Sequence, residues 1–357
     1  MNILVTGATG AVGPSVVQAL CKAGYAVRSF SLDRPLSGVF PLNVDEQIGD
    51  VTDKPAVQSA MQGVDAVVHL AALLHIVNPP PELRAKYEQI NVGGTETVVE
   101  AAVKAGVKRV VLASTIAVYG PSNGQILNED SDARPDTFYA QTKLAAEKIV
   151  LNARSADYQP IGTVLRFGAV YGARIKGNYE RLVRALARSR FIPIGTGQNR
   201  RTLAYDRDVA RAVVLAVQQP AAGKIYNVTD GQFHKLNEII TAICEALGRK
   251  PPRFSIPVDP SRAVAGMIED AMRLIGRDSP ISRAMIDKYT EDIAVDGKRL
   301  QYELGFVPQY DLDAGWRETV QEMRQMDYPQ RTPCLSAGDL PPRRQGTKKT
   351  EGLLPTE

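Results

Sequence analysis

Tyr139 and Lys143 stand four residues apart, the only Tyr-x-x-x-Lys pair in the chain. On a helix that spacing is about one turn, so the phenol and the ammonium project from one face and lie side by side. A free phenol, with a pKa of about 10, is too weakly acidic to serve as a base near neutrality, and a neighbouring cation favours its phenolate. Such a pair can take or give the proton of a hydroxyl while hydride moves on or off the carbon, which is chemistry for an alcohol or a ketone. The pair alone decides nothing, because 13 tyrosines and 15 lysines in 357 residues produce roughly 0.5 such spacings by chance.

Context comes from Gly7-Ala8-Thr9-Gly10-Ala11-Val12-Gly13. The run follows an apolar strand pattern, Ile3 to Thr6, and opens a helical one, Val12 to Ala23. Backbone N–H groups and the helix dipole at such a junction can receive a pyrophosphate with no side chain in the way. The spacing is Gly-x-x-Gly-x-x-Gly, and Pro14 suits a first helical turn, where no intrahelical N–H bond is lost. Dinucleotide binding is the expectation.

The elements that must hold these groups alternate. Ala26 to Phe30, Asp65 to Leu70, Lys108 to Ala113 and Gly162 to Phe167 read as strands. Helical patterns cover about Glu82 to Ala105 and Thr137 to Arg154, the second carrying the Tyr/Lys pair. The fold class is therefore α/β, a doubly wound parallel sheet of the Rossmann kind over residues 1–172. From 173 to 327 the rhythm loosens into Tyr179 to Ser189, Thr202 to Ala204, Asp208 to Gln218, Lys224 to Val228 and Leu236 to Leu247, after which helices dominate. This reads as a smaller, mostly helical substrate lobe across the sheet's carboxyl edge, with segments able to return to the first domain. Residues 328–357 are rich in Pro, Gly, Arg and Lys and poor in large apolar residues, a disordered tail by composition.

Composition narrows the setting. A net charge of +4 spread along the chain points away from nucleic acid and towards small anions. Cys21, Cys244 and Cys334 are widely separated and lack zinc spacing, so neither disulfides nor a metal are expected, and the compartment is a reducing one. Met1 leads straight into strand-like Asn2 to Thr6 with no room for a signal peptide, which makes the cytoplasm the expected location. Ala263 to Ile275 is the most membrane-like stretch, yet Glu269, Asp270 and Arg273 interrupt it and it is too short to span, so no membrane partner is expected.

Seven ordered segments carry a resemblance. The glycine loop, Gly49 to Asp53, His69 to Ala72, Asn91 to Thr95, Ser114 to Gly120, the Tyr139/Lys143 pair and Arg166 to Gly172 are together similar to the extended short-chain dehydrogenases/reductases, the group of nucleotide-sugar epimerases, dehydratases and reductases. The likeness covers about residues 1 to 326. It implies a catalytic triad of Thr115, Tyr139 and Lys143, in which two hydroxyls converge on one oxygen and stabilise developing alkoxide charge. It implies cofactor contacts from Gly7, Thr9, Gly10, Ala11, Val12 and Gly13, from Asp50 and Val51 at the adenine, and from Leu70, Ala71 and Ala72 along the strand end. Asn91, Ser114 and Phe167 join them, with Tyr139 and Lys143 themselves. His69 reads rather as a satisfied core histidine.

NAD-specific members end the second strand on an acidic residue that accepts from ribose hydroxyls. Here that place falls on Ser31, with Asp33 two residues on, while Arg28 and Arg34 offer partners for a 2′-phosphate. The overall pattern favours NAD narrowly, with NADP close behind. In the second half, Gly195 to Leu203 resembles the stretch whose last arginine, here Arg201, grips a nucleotide-sugar diphosphate, and Asn178 matches an Asn that meets the same ligand. Arg200 reads as a surface arginine. Ala169 stands where epimerases commonly place an amide.

Ile116 and Ala117 occupy the positions where dehydratases and decarboxylases of the group carry an extra acid, which argues against water loss. A UDP-hexose 4-epimerase-like activity is favoured over a reductase of a nucleotide 4-keto-6-deoxyhexose, the latter supported by Ser31 and Ala169. A hydroxysteroid or dihydroflavonol-type oxidoreductase would need no diphosphate grip, so Arg201 separates it. A non-catalytic NAD(P)-sensing protein is the remaining alternative, opposed by the intact triad. The expected partners are a small-molecule nucleotide sugar and a second copy of the chain, the helices near 82–105 and 137–154 resembling those that pair across a twofold axis.

Overall fold

The structure, a computed structural model, describes residues 1–74, 81–277, 279 and 281–327. The tail expected to be disordered, 328–357, falls outside them. The chain opens with β1 (Asn2–Thr6), α1 (Gly13–Lys22) and β2 (Ala26–Ser31), as the alternating apolar runs require, followed by β3 (Asp45–Ile48), α2 (Lys54–Ala60) and β4 (Ala66–His69). The helix expected over 82–105 is three pieces: α3 (Pro81–Tyr87), a π-helical turn (Glu88–Gly93) and α4 (Gly94–Lys104). Such a turn inserts backbone into a helix and re-aims its side chains, and it holds Asn91.

β5 (Arg109–Thr115) runs directly into a 3₁₀ turn (Ile116–Tyr119). Next come α5 (Phe138–Asn152) and β6 (Gly162–Phe167). α5 starts where it does because the hydroxyl of Thr137 accepts from the Ala140 amide at 3.2 Å, an N-cap that puts Tyr139 in the first turn. β7 (Ala169–Tyr171), α6 (Asn178–Ala187), β8 (Arg200–Arg201), β9 (Leu203–Tyr205) and α7 (Asp206–Gln218) follow. The chain then forms β10 (Ile225–Val228), β11 (His234–Lys235) and α8 (Leu236–Leu247). It ends in α9 (Val258–Leu274), α10 (Arg283–Thr290), α11 (Lys298–Leu304) and α12 (Leu312–Asp327).

Seven strands form one parallel sheet in the order β10-β6-β5-β4-β1-β2-β3. Helices α1 and α7 cover one face, packing Val16, Val17 and Leu20 with Val213 and Ala216. On the other, α2, α4 and α5 supply Val57, Val98, Ala102, Ala146 and Val150. With both faces covered, central strands must be apolar throughout, which is why Val67, Val68, Val110, Val111 and Leu112 show no alternation. The segment Lys224 to Val228, grouped by sequence order with the looser second half, returns to this sheet as β10. It pairs with β6 from Ile225 opposite Val164 to Val228 opposite Phe167.

A third apolar cluster joins α6, α8 and α12 around Tyr171, Tyr205 and Trp316, the indole stacking on Tyr171 at 4.4 Å between ring centres. Among the described residues no helix is long and apolar enough to cross a membrane. Strand order runs one way from β1 to β3 and the other way from β1 through β4 to β10. The crevice outside the carboxyl ends of β1 and β4 is therefore the topological switch point, the place where such sheets bind ligands.

Candidate active site

The glycine loop crosses that switch point. Gly7 takes φ +66°, and a Cβ there would lie 2.6 Å from the Ala71 amide nitrogen, because the loop after β1 presses on the chain leaving β4. At Gly13 a Cβ would meet the Ala8 carbonyl oxygen at 2.1 Å, so α1 abuts the loop. Gly10 differs: within 4 Å its Cβ would meet only the Gly7 oxygen, at 3.0 Å. Two glycines thus shape the cradle and the third leaves it open, above the N-terminus of α1, flanked by half-buried Ala11 and Val12. The Thr9 amide is fixed by the Ser31 hydroxyl at 3.2 Å, which binds the loop to the end of β2. These residues fit the diphosphate of a dinucleotide.

The flanking positions sort by what holds them. Leu70 donates its amide to the Thr6 carbonyl at 3.1 Å and Ala71 donates to the Thr6 hydroxyl at 3.4 Å, with Ala72 half-buried beyond. Asp50 accepts from the Thr52 amide at 2.8 Å, while Val51 is buried against Gly94. Asp33 and Arg34 are exposed on the loop after β2. Arg28 is not available to a 2′-phosphate, as the sequence had suggested. Its guanidinium pairs with Asp45 at 2.6 Å and donates to the carbonyls of Ala60 and Gln62, both at 2.8 Å.

Thr115 ends β5, and its Oγ1 accepts from the Ala117 amide at 3.2 Å, capping the 3₁₀ turn. With an acceptor lobe occupied by backbone, the hydroxyl proton is left to donate outward. Phe167, buried at the end of β6, lies opposite Thr115 in register. Tyr139 sits one turn from Lys143 on α5 and packs edge-on to Tyr87, ring centres 6.4 Å apart. Burial, and then Tyr87, push the Tyr139 phenol up to about 12. That direction runs against the expectation of a lysine-acidified phenol: desolvation is the largest cause and Tyr87 adds to it. Lys143 is 3 % exposed. Burial brings its ammonium down to about 8, and the Glu147 carboxylate opposes the fall.

Alternation along β5 sends Ser114 to the other face from Thr115. The Ser114 hydroxyl, read from sequence as a cofactor contact, instead donates to buried Glu147. Asn91 is likewise committed. Its side chain accepts from the Leu73 amide at 2.7 Å and donates to the Leu73 carbonyl at 3.3 Å and the Thr142 hydroxyl at 3.1 Å, a strut between the chain after β4 and α5. His69 is the core histidine expected, bonded to Thr6 at 2.6 Å and Thr95 at 3.0 Å. Burial and then Lys143 lower its pKa to about 3.

Sequence reasoning missed Glu147. It receives Arg166 at 2.6 Å and 3.0 Å, both side chains almost fully buried, and Arg166 lies over the Tyr119 ring at 4.7 Å. Two signals were there to be read. Glu147 is one turn beyond Lys143, and an arginine inside the apolar run Gly162 to Phe167 needs an acid nearby.

In the lobe, Asn178 is exposed at the first residue of α6. Arg200 is pinned to Asp292, its Nη2 at 2.6 Å. Arg201 donates from Nη2 to the carbonyls of Lys288 at 3.0 Å and Tyr289 at 2.7 Å. The structure gives Asn178 and Arg201 separate elements and no bond to each other.

Residues 3–229 match the model of the NAD dependent epimerase/dehydratase family. The chain is 29 % identical over 323 residues to an N-acetyl-alpha-D-glucosaminyl-diphospho-ditrans,octacis-undecaprenol 4-epimerase of Escherichia coli O157:H7, covering 90 % of this chain and 94 % of that one. It is 26 % identical to a UDP-glucose 4-epimerase of Vibrio cholerae, covering 91 % and 96 %. Among solved structures, MoeE5 in complex with UDP-glucuronic acid and NAD superposes with a TM-score of 0.73 at 27 % identity, over 91 % of this chain and all of that one. With the cradle, the switch point and the Thr/Tyr/Lys set already in place, the match settles the assignment: the chain belongs to the NAD dependent epimerase/dehydratase family.

Proposed function

We propose that this chain inverts a sugar carbinol by hydride transfer on a diphosphate-linked hexose, in the manner of a UDP-hexose 4-epimerase. The observation that carries the reading is the burial of Lys143, at 3 % exposure, one helical turn from Tyr139. An ammonium is not desolvated for packing, since a Met or Leu fills the same space without the penalty.

NAD, when bound in the cradle, supplies the hydride acceptor and donor. The remaining work belongs to the protein. Tyr139 rests protonated, so it is ready to donate to a ketone oxygen, and in the oxidative direction it must first give its own proton to water so that the phenolate can take the carbinol proton. The Lys143 ammonium on the same helix face favours the phenolate at that moment. Thr115, with its oxygen tied to the Ala117 amide, donates to the reacting oxygen and fixes it. Ile116 and Ala117 offer no acid for elimination.

Arg201 and Asn178 are our candidates for the diphosphate, Arg201 because the bonds that hold it use one nitrogen of a guanidinium suited to bidentate phosphate contact. The names of the relatives support a sugar carried on either a nucleoside or a polyprenyl diphosphate. A homodimer through α4 and α5 completes the proposal, and light scattering that finds only monomer at micromolar concentration removes it.

The test identifies the nucleotide retained by the purified protein, then offers UDP-, dTDP- and GDP-hexoses and a polyprenyl-diphosphate sugar. Tightly held NAD that is not consumed while the C4 isomer forms supports epimerisation. Stoichiometric oxidation of NADPH with a 4-keto sugar replaces it with the reductase.

A further inference from the structure

The short ribbon of β8 and β11 sets His234 directly opposite Arg201. Partners placed so in an antiparallel pair share a face, their Cβ atoms about 4.5–5.5 Å apart, which stands the imidazole beside the guanidinium offered above to a diphosphate. Arg200 and Lys235 are the next pair and turn to the other face, where Arg200 is pinned to Asp292. Asp230, in the turn after β10, aims the imidazole. Its Oδ2 lies 2.7 Å from His234 Nε2, and its Oδ1 accepts from the Gln232 amide at 3.1 Å. The carboxylate side chain is 3 % exposed and the imidazole 12 %.

Helix α6 looks onto the same spot. Burial pushes the Tyr179 phenol up to about 12, with Arg201 opposing the rise and Asp230 adding to it, and Tyr179 follows exposed Asn178 at the start of that helix. Asp230 also acts on Tyr171 of β7, after burial the largest cause of the rise there. A packing role would be complete with Nε2 on the carboxylate. It leaves the other nitrogen unexplained, because among the described residues no hydrogen bond holds Nδ1. A second proton on the ring makes Nδ1 a donor, and imidazoles gain that proton near neutral pH. Asp230, His234 and Arg201 then sum to one positive charge, with the imidazolium standing between the carboxylate and an arriving anion.

We propose that His234 is a second diphosphate-binding residue beside Arg201, donating from Nδ1 to a phosphoryl oxygen, with Asp230 as the residue that positions its ring. The inference rests on the reading of Arg201 as a diphosphate contact and adds to it a group whose charge depends on pH.

The test is isothermal titration of the NAD-loaded full-length protein with UDP-glucose and with farnesyl diphosphate, two probes that separate a nucleoside carrier from a polyprenyl one. Whichever binds, His234→Gln weakens it about ten-fold, the worth of one hydrogen bond between charged groups. Both phosphoryl groups of UDP-glucose are esterified and keep their charge between about pH 5 and 8, so a fall in wild-type affinity across that range reads the imidazole. His234→Gln abolishes the fall, and Asp230→Asn moves it to lower pH. A histidine that only packs produces neither effect. Unchanged affinity in His234→Gln, or a pH dependence that persists in it, overturns the proposal while Arg201→Ala, by losing binding, upholds the diphosphate reading. Wild-type protein that binds neither probe overturns both.

Discussion

Replacing Lys143 with Met should make the folded chain more stable and much less active. Burial takes the ammonium's pKa from 10.5 to about 8. At about 1.4 kcal/mol per unit, the folded state gives up about 3 kcal/mol to keep that charge at neutral pH. Unfolded, the lysine holds its proton up to about pH 10.5, whereas folded it does so only to about 8. Between those values the unfolded chain binds more protons, so wild-type stability rises with pH across the window, and below it the full penalty remains. Methionine keeps the length of the stem and deletes the charge. Glu147 loses a favourable neighbour in the variant but keeps Arg166 and Ser114, so the net gain near pH 7 is about 1–3 kcal/mol.

The assay is urea unfolding of nucleotide-free protein followed by circular dichroism, wild type against Lys143→Met, at about pH 7 and about pH 9.5. The variant leads at the lower pH and the gap closes at the higher one. Turnover falls by about 10²- to 10⁴-fold, the usual worth of a positioned proton-transfer partner. A variant less stable than wild type near pH 7, or a gap that does not narrow as pH rises, would show that the buried ammonium is net stabilising and would refute the reasoning.

Tyr139→Phe removes the proton carrier, and kcat should drop about 10²- to 10⁴-fold with KM little changed in steady-state assays. Glu147→Gln leaves Arg166 buried beside a neutral amide, and a chemical unfolding curve should register a loss of about 3–5 kcal/mol, the cost of breaking a buried pair from one side. His69, with a folded pKa of about 3 against 6.5, binds its proton more weakly than in the unfolded chain. Its contribution to stability is present above about pH 6.5 and is lost as pH falls towards 3. Proton NMR should therefore show one imidazole that does not titrate between about pH 5 and 8.

The parts of this molecule legible in the sequence are those where local pattern and chemistry coincide. Gly7, Gly10 and Gly13 sit between an apolar run and a helical one; at Gly7 and Gly13 close backbone leaves no room for a Cβ, while Gly10 keeps the cradle open. Valines at 67, 68, 110 and 111 announce strands covered on both faces. The Tyr139 spacing places a side chain on a helix but says nothing of its solvent, so the direction of its pKa came out reversed. Ser114 and Thr115 are neighbours in a motif, yet a strand sends them to opposite faces, and only one can attend the site. Arg28 looked free because its partners, Asp45 and the carbonyls of Ala60 and Gln62, are 17 to 34 residues away.

The largest gap between chain order and spatial order concerns what clamps the catalytic turn. Arg166 reaches from β6 to Glu147 on α5 and over the ring of Tyr119, the last residue of the turn that Thr115 caps. Tyr119 donates to Asn227 of β10 at 2.9 Å. Asn227 in turn donates its amide to Glu129 at 2.7 Å and its side chain to the Asp296 carbonyl at 2.9 Å. A Cβ at Gly297 would stand 2.5 Å from the Thr229 hydroxyl, which shows how closely that late segment lies on the end of β10. The glycine cradle draws on the first 71 residues, Ser31 and Ala71 included, whereas the turn that Thr115 caps is tied through Tyr119 to Asn227, more than 100 residues after it. Nucleotide binding can therefore be laid down early, while the orientation of the reacting hydroxyls waits on a strand that local patterning assigns to the other half of the chain.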